Sequence, residues 1–311
     1  MKENVISALI IIGVLLIVGF LWFAYENPVL NPKLKEETYV IIRKWDLPEV
    51  LEEVSGIHYL SDNKMACVQD EDGIIFIYNL DTDLVEKTIN FSKSGDYEGV
   101  AIIDSTAYVL ESNGKIHQVL DYLGPSFTTH TFKTHFSGKN NMESLSADSI
   151  NNRLLLSVKD TDPNSRDYKG IYAFDLETKR VLPTPIFKIP LNDPILMEKS
   201  SKSDDDGGGT NGGFYPSDLA IHPIDGTIYI LEGKTPRLLL MDPQGKLLQL
   251  HELNEEFFPQ PEGLAFAPDG TLYISNEGKK GTANILEVEL KDEWPADFNF
   301  VFDFVPKTFA T

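Results

Sequence analysis

Short apolar runs alternate with turn signals along the chain from about residue 39 to residue 290. Typical pairs of runs are 227–231 with 237–241 and 271–275 with 284–288, and Asp-Gly, Asn-Gly and Gly-Lys pairs mark the turns. Runs of this length with such turns predict β-strands joined as hairpins. No convincing amphipathic helix pattern occurs after residue 39. The pattern therefore predicts an all-β fold.

Five segments share one template, in which an acidic or small polar residue and then a small residue precede a short apolar strand. A turn and a second strand with a polar end follow. The segments start about 45 residues apart except for one longer step, which carries an insertion. Such a period predicts the blades of a β-propeller, because a solenoid would need helices and a β-sandwich lacks the long period. The starting residues are Ser55, Glu98, Glu143, Ser217 and Glu262.

Residues 39–46, followed by Leu47-Pro48, have the pattern of an outer strand. We expect this strand to complete the last blade, whose first three strands lie between Gly263 and Leu290. Such an exchange ties the chain ends together and removes an open sheet edge. The arrangement predicts five blades; a sixth, degenerate blade is possible in the insertion, 183–214, or in the C-terminal strand 298–305.

The segment from Val5 to Tyr25 carries no charge and is long enough to cross a hydrocarbon core of roughly 30 Å as a helix. No small-x-small cleavage site follows it, and the only cysteine is Cys67, so a cleaved or lipidated leader is disfavoured. We expect a short flank at 1–4, a transmembrane signal anchor at 5–25, a linker at 26–38 and the propeller at 39–311. Flanking charges do not decide the orientation; the usual default predicts a single-pass protein of the cell (inner) membrane with an extracytoplasmic propeller.

A formal net charge of −21 argues against nucleic acid or an anionic membrane surface as a partner, because both require Lys and Arg to neutralise phosphate. Cations are the natural partners of such a chain. For most of these carboxylates, solubility alone is a sufficient explanation.

Carboxylates recur where first strands begin and second strands end, and these two positions meet on one face of a propeller. Crowded carboxylates are costly unless they are protonated or bind a metal. Calcium fits oxygen ligands from separate blades, whereas zinc is improbable without a His and Cys cluster. The alternative is that these residues only cap turns. The predicted calcium ligands are Glu98, Glu143, Glu262, Glu111, Glu232 and Glu277, with Asp70, Glu71 and Asp160 at equivalent second-strand ends.

Two other features carry weaker signals. His58 takes the place of alanine or serine in the other repeats, so it either projects into the channel or is a packed structural histidine. Residues 202–213 form a polar, glycine-rich stretch that lacks the calcium-loop and phosphate-loop signatures, and we expect a surface loop. No serine-nucleophile, zinc-protease or nucleotide-binding motif is present, so no catalytic residue is assigned.

Four groups of residues form a recognisable set of motifs: Leu47-Pro48 with Glu53-x-Ser55-Gly56, residues 97–101 (Tyr-Glu-Gly-Val-Ala), residues 216–223 (Pro-Ser-Asp-Leu-Ala-Ile-His-Pro) and residues 260–265 (Gln-Pro-Glu-Gly-Leu-Ala) with 272–277. In these motifs and their order the chain resembles the SdiA-regulated proteins, which are membrane-anchored bacterial propellers distantly similar to NHL-repeat proteins. The resemblance covers the chain from about residue 39 to 290 and implies a five-bladed propeller with an associated calcium site, but no established reaction.

Two functions are compatible with these patterns. The favoured one is a calcium-binding recognition or scaffold module, displayed outside the membrane, for an unknown protein or small-molecule ligand at the channel mouth. The alternative is a calcium-dependent hydrolase of a lactone or phosphoester, in which the metal polarises the substrate and a neighbouring Glu acts as base. The fold cannot choose between them, and enzymatic activity is left open.

Overall fold

Five antiparallel sheets form the folded part of the chain in a computed structural model that describes residues 18, 37–197 and 213–291. Each sheet is one blade of a propeller, and the strands of a blade follow one another in the chain except in the last blade. The predicted all-β, five-bladed propeller is therefore confirmed.

The first four blades are numbered in chain order. Blade 1 consists of β2 (Val54–Leu60), β3 (Lys64–Gln69), β4 (Ile74–Asn79) and β5 (Leu84–Asn90), and blade 2 of β6 (Tyr97–Ile103), β7 (Thr106–Glu111), β8 (Ile116–Leu120) and β9 (Thr128–Phe132). Blade 3 consists of β10 (Met142–Asp148), β11 (Arg153–Val158), β12 (Tyr168–Asp175), β13 (Arg180–Val181) and β14 (Phe187–Pro190), and blade 4 of β15 (Pro216–Ile221), β16 (Ile228–Glu232), β17 (Arg237–Met241) and β18 (Leu247–Glu252).

Blade 5 closes the ring with the two ends of the described propeller. Its inner strands are β19 (Pro261–Phe266), β20 (Leu272–Asn276) and β21 (Asn284–Leu290), and its outer strand is β1 (Tyr39–Asp46). The strand β1 pairs antiparallel with β21, from Tyr39 opposite Leu290 to Asp46 opposite Asn284. This is the exchange that the sequence predicted.

The described part of the insertion adds to blade 3 instead of forming a sixth blade. The strand β14 pairs with β12, beyond the two-residue strand β13. A short helix, α1 (Pro194–Met197), follows, and three 3-10 turns lie elsewhere at Glu49–Leu51, Ser149–Asn151 and Gly278–Lys280. Residues 198–212 and the expected C-terminal strand lie outside the described residues.

The hydrophobic core consists of five clusters, each between two neighbouring blades. Inward-facing strand residues are almost fully buried, among them Tyr78, Tyr97, Tyr172 and Phe174. Because every blade buries both of its faces, its strands read as nearly continuous apolar runs rather than as a strict alternation.

No helix within the described residues is long and apolar enough to cross a membrane. The predicted span at 5–25 lies outside them apart from residue 18.

Candidate functional site

The first strand of each blade begins on the face where the second strand ends, as in blade 2, where Tyr97 lies opposite Glu111. We call this the acidic face and the other the basal face. In blades 2 to 5 the register shifts at the start of the first strand, so that Glu98, Glu143, Ser217 and Glu262 are the extra residues of β-bulges. A β-bulge turns the side chain of its extra residue away from the direction that the regular alternation of the strand would give it. The bulges therefore turn three of the predicted carboxylates onto the acidic face.

The first strands approach one another so closely that no side chain fits between them. A Cβ atom added to Gly99 would lie 2.9 Å from the backbone nitrogen of Leu145, and one added to Gly56 would lie 2.7 Å from the Cα atom of Gly99. The small residue of the repeat is therefore required for ring closure, and the channel is narrow at this level.

In blade 4, Asp218 stands where blades 1, 2 and 5 have glycine. Its carboxylate accepts hydrogen bonds from the backbone N–H groups of Leu219 at 2.8 Å and of Leu264 at 2.7 Å, and from that of Leu145. Only 2% of Asp218 is exposed, and burial raises its pKa although the three N–H groups oppose the rise. Asp218 thus links blades 3, 4 and 5 below the acidic face.

A single partly buried cation, Lys159, lies among the three first-strand glutamates. Its Nζ atom is 3.1 Å from Oε2 of Glu143, and the carboxylates of Glu143, Glu262 and Glu98 raise the pKa of Lys159 above its usual value although burial lowers it. Burial raises the pKa of Glu143 to about 7 even though Lys159 opposes the shift. Lys159 follows the second strand of blade 3, beside Asp160, the residue that the sequence pattern had indicated.

The carboxyl groups of Asp96 and Glu98 are in hydrogen-bonding contact. Burial, the charge of Glu143 and this contact raise the pKa of Glu98 to about 10. Asp96 also accepts a hydrogen bond from the hydroxyl of Ser112. Two carboxyl groups can share such a contact only with a proton or a cation between them. This pair therefore requires a proton or a cation between its two carboxyl groups.

A second carboxyl cluster lies where blade 5 meets blade 1. Burial and contact with Glu53 raise the pKa of Glu277 to about 7. Burial and the charge of Glu53 raise the pKa of Asp70 to about 6. Lys279 lies 2.7 Å from Oε1 of Glu277 and 3.9 Å from Oε2 of Glu53. One oxygen of Asp70, Oδ1, is buried without a hydrogen-bond partner among the described residues.

The other two predicted ligands have cationic partners of their own. Glu111 lies 2.7 Å from both Lys115 Nζ and His117 Nε2, and these groups lower its pKa although burial raises it. Glu232 is fully buried and lies 2.5 Å from the guanidinium of Arg237. The structure thus does not bring the six residues into one ring: it gathers Glu98, Glu143 and Glu262, and it holds Glu111, Glu232 and Glu277 in separate ion pairs.

Burial lowers the pKa of His58 to about 4, which keeps this residue neutral at physiological pH. The described residues contain no group of three or more His, Cys, Asp or Glu side chains with the geometry of a metal site. The glycine-rich stretch 202–213 lies outside them except for Gly213, whose carbonyl accepts a hydrogen bond from Arg237.

Sequence reasoning missed Lys159, Asp96 and Asp218. Asp218 had a signal, because it breaks the small-residue position of its own repeat, which is glycine in three other blades and serine in the fourth. The sequence signal for Lys159 was weaker: it is a basic residue at the end of a second strand.

No protein-family model matches the chain, and no curated protein matches it. Among solved structures, Myxococcus xanthus glutaminyl cyclase is similar, with a TM-score of 0.56 at 14% identity over 81% of this chain and 96% of that one. PQQ-bound aldose sugar dehydrogenase from Streptomyces coelicolor has a TM-score of 0.48 at 13% identity, with coverage of 81% and 98%. Streptogramin B lyase has a TM-score of 0.45 at 12% identity, again with coverage of 81% and 98%. At 14% identity the likeness to the glutaminyl cyclase supports the propeller fold alone.

Proposed function

We propose that the protein is a membrane-anchored recognition module whose acidic face binds a cation, with calcium as the first candidate. The carboxyl pair of Asp96 and Glu98 carries this proposal, because it lies beside Glu143, and the partly buried Lys159 is attracted by Glu98, Glu143 and Glu262. Four carboxyl groups and one ammonium group leave three formal negative charges in excess when all are ionised. The resemblance to the SdiA-regulated proteins supports the same proposal.

The charge excess identifies which residues would hold the ion. Glu143 is already paired with Lys159, whereas Asp96 and Glu98 share a contact that a cation can satisfy in place of a proton. Glu262 is attracted by Lys159 and accepts a hydrogen bond from Gln260 at 3.1 Å. Calcium accepts six to eight oxygen ligands in flexible geometry, so two carboxylates together with carbonyls and water suffice. Asp96 and Glu98 are our proposed ligands, a smaller and partly different set from the six predicted by sequence.

Recognition is favoured over hydrolysis by the burial of the best available base. Glu143 has a pKa of about 7, suitable for general base catalysis, but only 5% of its side chain is exposed and Lys159 occupies its carboxylate. A substrate cannot reach a base that is enclosed in this way. An unknown protein or small molecule that docks on the acidic face would instead meet the bound cation.

The anchor and the location rest on sequence. The uncharged segment 5–25 would hold the protein in the cell membrane with the propeller on the extracytoplasmic side. Extraction of the full chain from membranes by detergent but not by alkaline carbonate is the expected behaviour of such an anchor. Release by carbonate would contradict it.

Thermal unfolding of the full chain in detergent tests the cation site. We expect millimolar calcium to raise the midpoint above its value in chelator, by more than magnesium does, because a ligand that binds only the folded state stabilises it. Glu98→Gln should abolish the rise, whereas Glu256→Gln, a change of an exposed carboxylate on the same face, should keep it. No shift with calcium, or an equal shift in Glu98→Gln, would overturn the proposal.

A further inference from the structure

A threonine, a histidine and a glutamate of blade 2 form a continuous chain of hydrogen bonds that the proposed cation site does not use. The Oγ1 atom of Thr131 lies 3.1 Å from Nδ1 of His117, and Nε2 of His117 lies 2.7 Å from Oε1 of Glu111. Thr131 on β9 and His117 on β8 lie directly opposite each other in the strand pairing, and Glu111 is the last residue of β7. Three neighbouring strands therefore supply one member each.

Hydrogen bonds keep the carboxylate of Glu111 ionised and fix its orientation. Its Oε2 atom accepts from Lys115 Nζ and from Asn113 Nδ2, each at 2.7 Å, which leaves Oε1 to His117. Burial raises the pKa of Glu111, but the hydrogen bonds that it accepts outweigh burial and lower this pKa below its usual value. Because an ionised carboxylate only accepts hydrogen bonds, Nε2 of His117 must carry a proton. Nδ1 of the neutral imidazole therefore accepts a hydrogen bond from the hydroxyl of Thr131.

The imidazole of this chain is enclosed, whereas the hydroxyl at its end reaches the surface. Phe91 and Tyr97 pack edge to face against His117, with ring centroids 5.4 and 5.7 Å from that of the imidazole, and only 4% of His117 is exposed. Thr131 is exposed on the outer strand of the blade. An accessible hydroxyl with a base held in place behind it is the arrangement that activates a nucleophile.

Groups that can stabilise a developing oxyanion lie close to Thr131. No described strand pairs with the outer side of β9, and every second backbone N–H group of such a strand points away from the sheet. The ammonium group of Lys133 is exposed two residues further along the chain. Backbone N–H groups and ammonium groups are donors that stabilise the oxyanion of acyl transfer. An ester is the expected substrate, because its carbonyl is more reactive than that of an amide and needs less stabilisation from an open site.

We propose that Thr131, His117 and Glu111 hydrolyse esters of small carboxylic acids through an acyl-threonine intermediate. The Oγ1 atom of Thr131 attacks the carbonyl carbon while its proton passes to Nδ1 of His117. The bond from the carbonyl carbon to the leaving oxygen then breaks, and the leaving oxygen takes that proton. Water attacks the acyl group in the same way, and its proton passes through Nδ1 to Oγ1, which releases the acid and restores the threonine. Glu111 is a positioning residue, because it holds the imidazole in the tautomer that accepts the proton.

Hydrolysis of p-nitrophenyl acetate by the full chain, in chelator and in a detergent without ester groups, tests the activity. Thr131→Val and His117→Gln should each lower kcat/KM at least about 100-fold, the order of magnitude that a positioned base contributes, whereas Thr131→Ser should keep most of it. The matched control is Thr129→Val, which removes a hydroxyl from the same side of β9 and should leave the rate unchanged. Mass spectrometry after an acid quench should find one acetyl group on Thr131.

The role of Glu111 is separated from a merely structural one by comparing kcat with KM. Glu111→Gln should lower kcat at least about tenfold and leave KM unchanged, because the carboxylate acts on the imidazole and does not touch the ester. An effect on KM alone would contradict the positioning role. Hydrolysis by Thr131→Val at the wild-type rate would overturn the proposal. So would an acetyl group on another residue, or a wild-type rate no higher than that of the heat-unfolded chain.

Discussion

The replacement Lys159→Met tests whether a buried lysine holds the acidic face together. Methionine keeps the length and the apolar stem of the side chain but removes its charge. In the wild type, the Nζ atom lies 3.1 Å from Glu143 and is attracted by Glu262 and Glu98 as well. Without it, the three carboxyl groups keep their burial and lose their nearest cation.

The size of the effect follows from burial. Removing one partner of a buried ion pair costs roughly 3–5 kcal/mol, and we reduce this to about 2–4 kcal/mol because 24% of the Lys159 side chain is exposed. At roughly 2–4 °C per kcal/mol for a domain of this size, the midpoint should fall by about 4–16 °C at pH 8. At pH 5 the loss should be much smaller, because Glu143 has a pKa of about 7 and is already neutral in the wild type.

Urea unfolding of the full chain at pH 5 and pH 8, in chelator, measures this difference. The control is Lys279→Met, whose side chain is 55% exposed beside Glu277 and whose loss should cost at most about 1 kcal/mol. An equal loss for Lys159→Met at both pH values would refute the reasoning, since it would mean that the lysine stem, rather than its charge, stabilises the face.

Two further predictions concern pH and ring closure. Without calcium, the folded state holds a proton on Glu98, whose pKa is raised from 4.5 to about 10, so the free energy of unfolding should fall as pH rises from 5 to 9. One such proton contributes about 1.4 kcal/mol per pH unit, and urea titrations of Glu98→Gln should show a slope shallower by about that amount; identical slopes would contradict the assignment. Gly99→Ala should cost at least about 2 kcal/mol, because its methyl group would meet the backbone of Leu145, whereas Gly138→Ala has open space around it and should be neutral within about 0.5 kcal/mol. If the two alanine variants were equally stable in a thermal melt, the first strands would have to move apart easily to make room for the added methyl group.

The fold was predictable because the same sequence pattern occurs five times along the chain. A glycine such as Gly99 before an apolar strand is weak alone, but its recurrence at a fixed period leaves few architectures. The closing strand was readable from its position, since residues 39–46 precede the first complete repeat and had no other sheet to join. The sixth-blade alternative arose because the insertion contains β14, which extends blade 3 through β12.

The sequence predicted which face of the propeller carries the candidate site, but not which side chains interact there. Strand direction determines which residues lie on the same face, and the hairpin pattern gives that direction. Which of these side chains interact depends on distances across the closed ring. Two of the ion pairs were in fact local: Arg237 lies opposite Glu232 across one hairpin, and Lys115 is four residues from Glu111. Lys159 pairs with Glu143 of its own hairpin, but it is also attracted by Glu98 and Glu262 from other blades, and no spacing in the sequence reports those interactions.

The pairing of β1 with β21 also determines how the propeller responds to mechanical load. The chain enters the propeller at Thr38 on the basal side, and a pull there acts along the axis of β1. Antiparallel strands that are pulled along their length share the load among all their backbone hydrogen bonds, so the pairs from Tyr39 to Asp46 must shear together rather than open one by one. The same strand that closes the ring therefore makes the N-terminal edge of the propeller resistant to force.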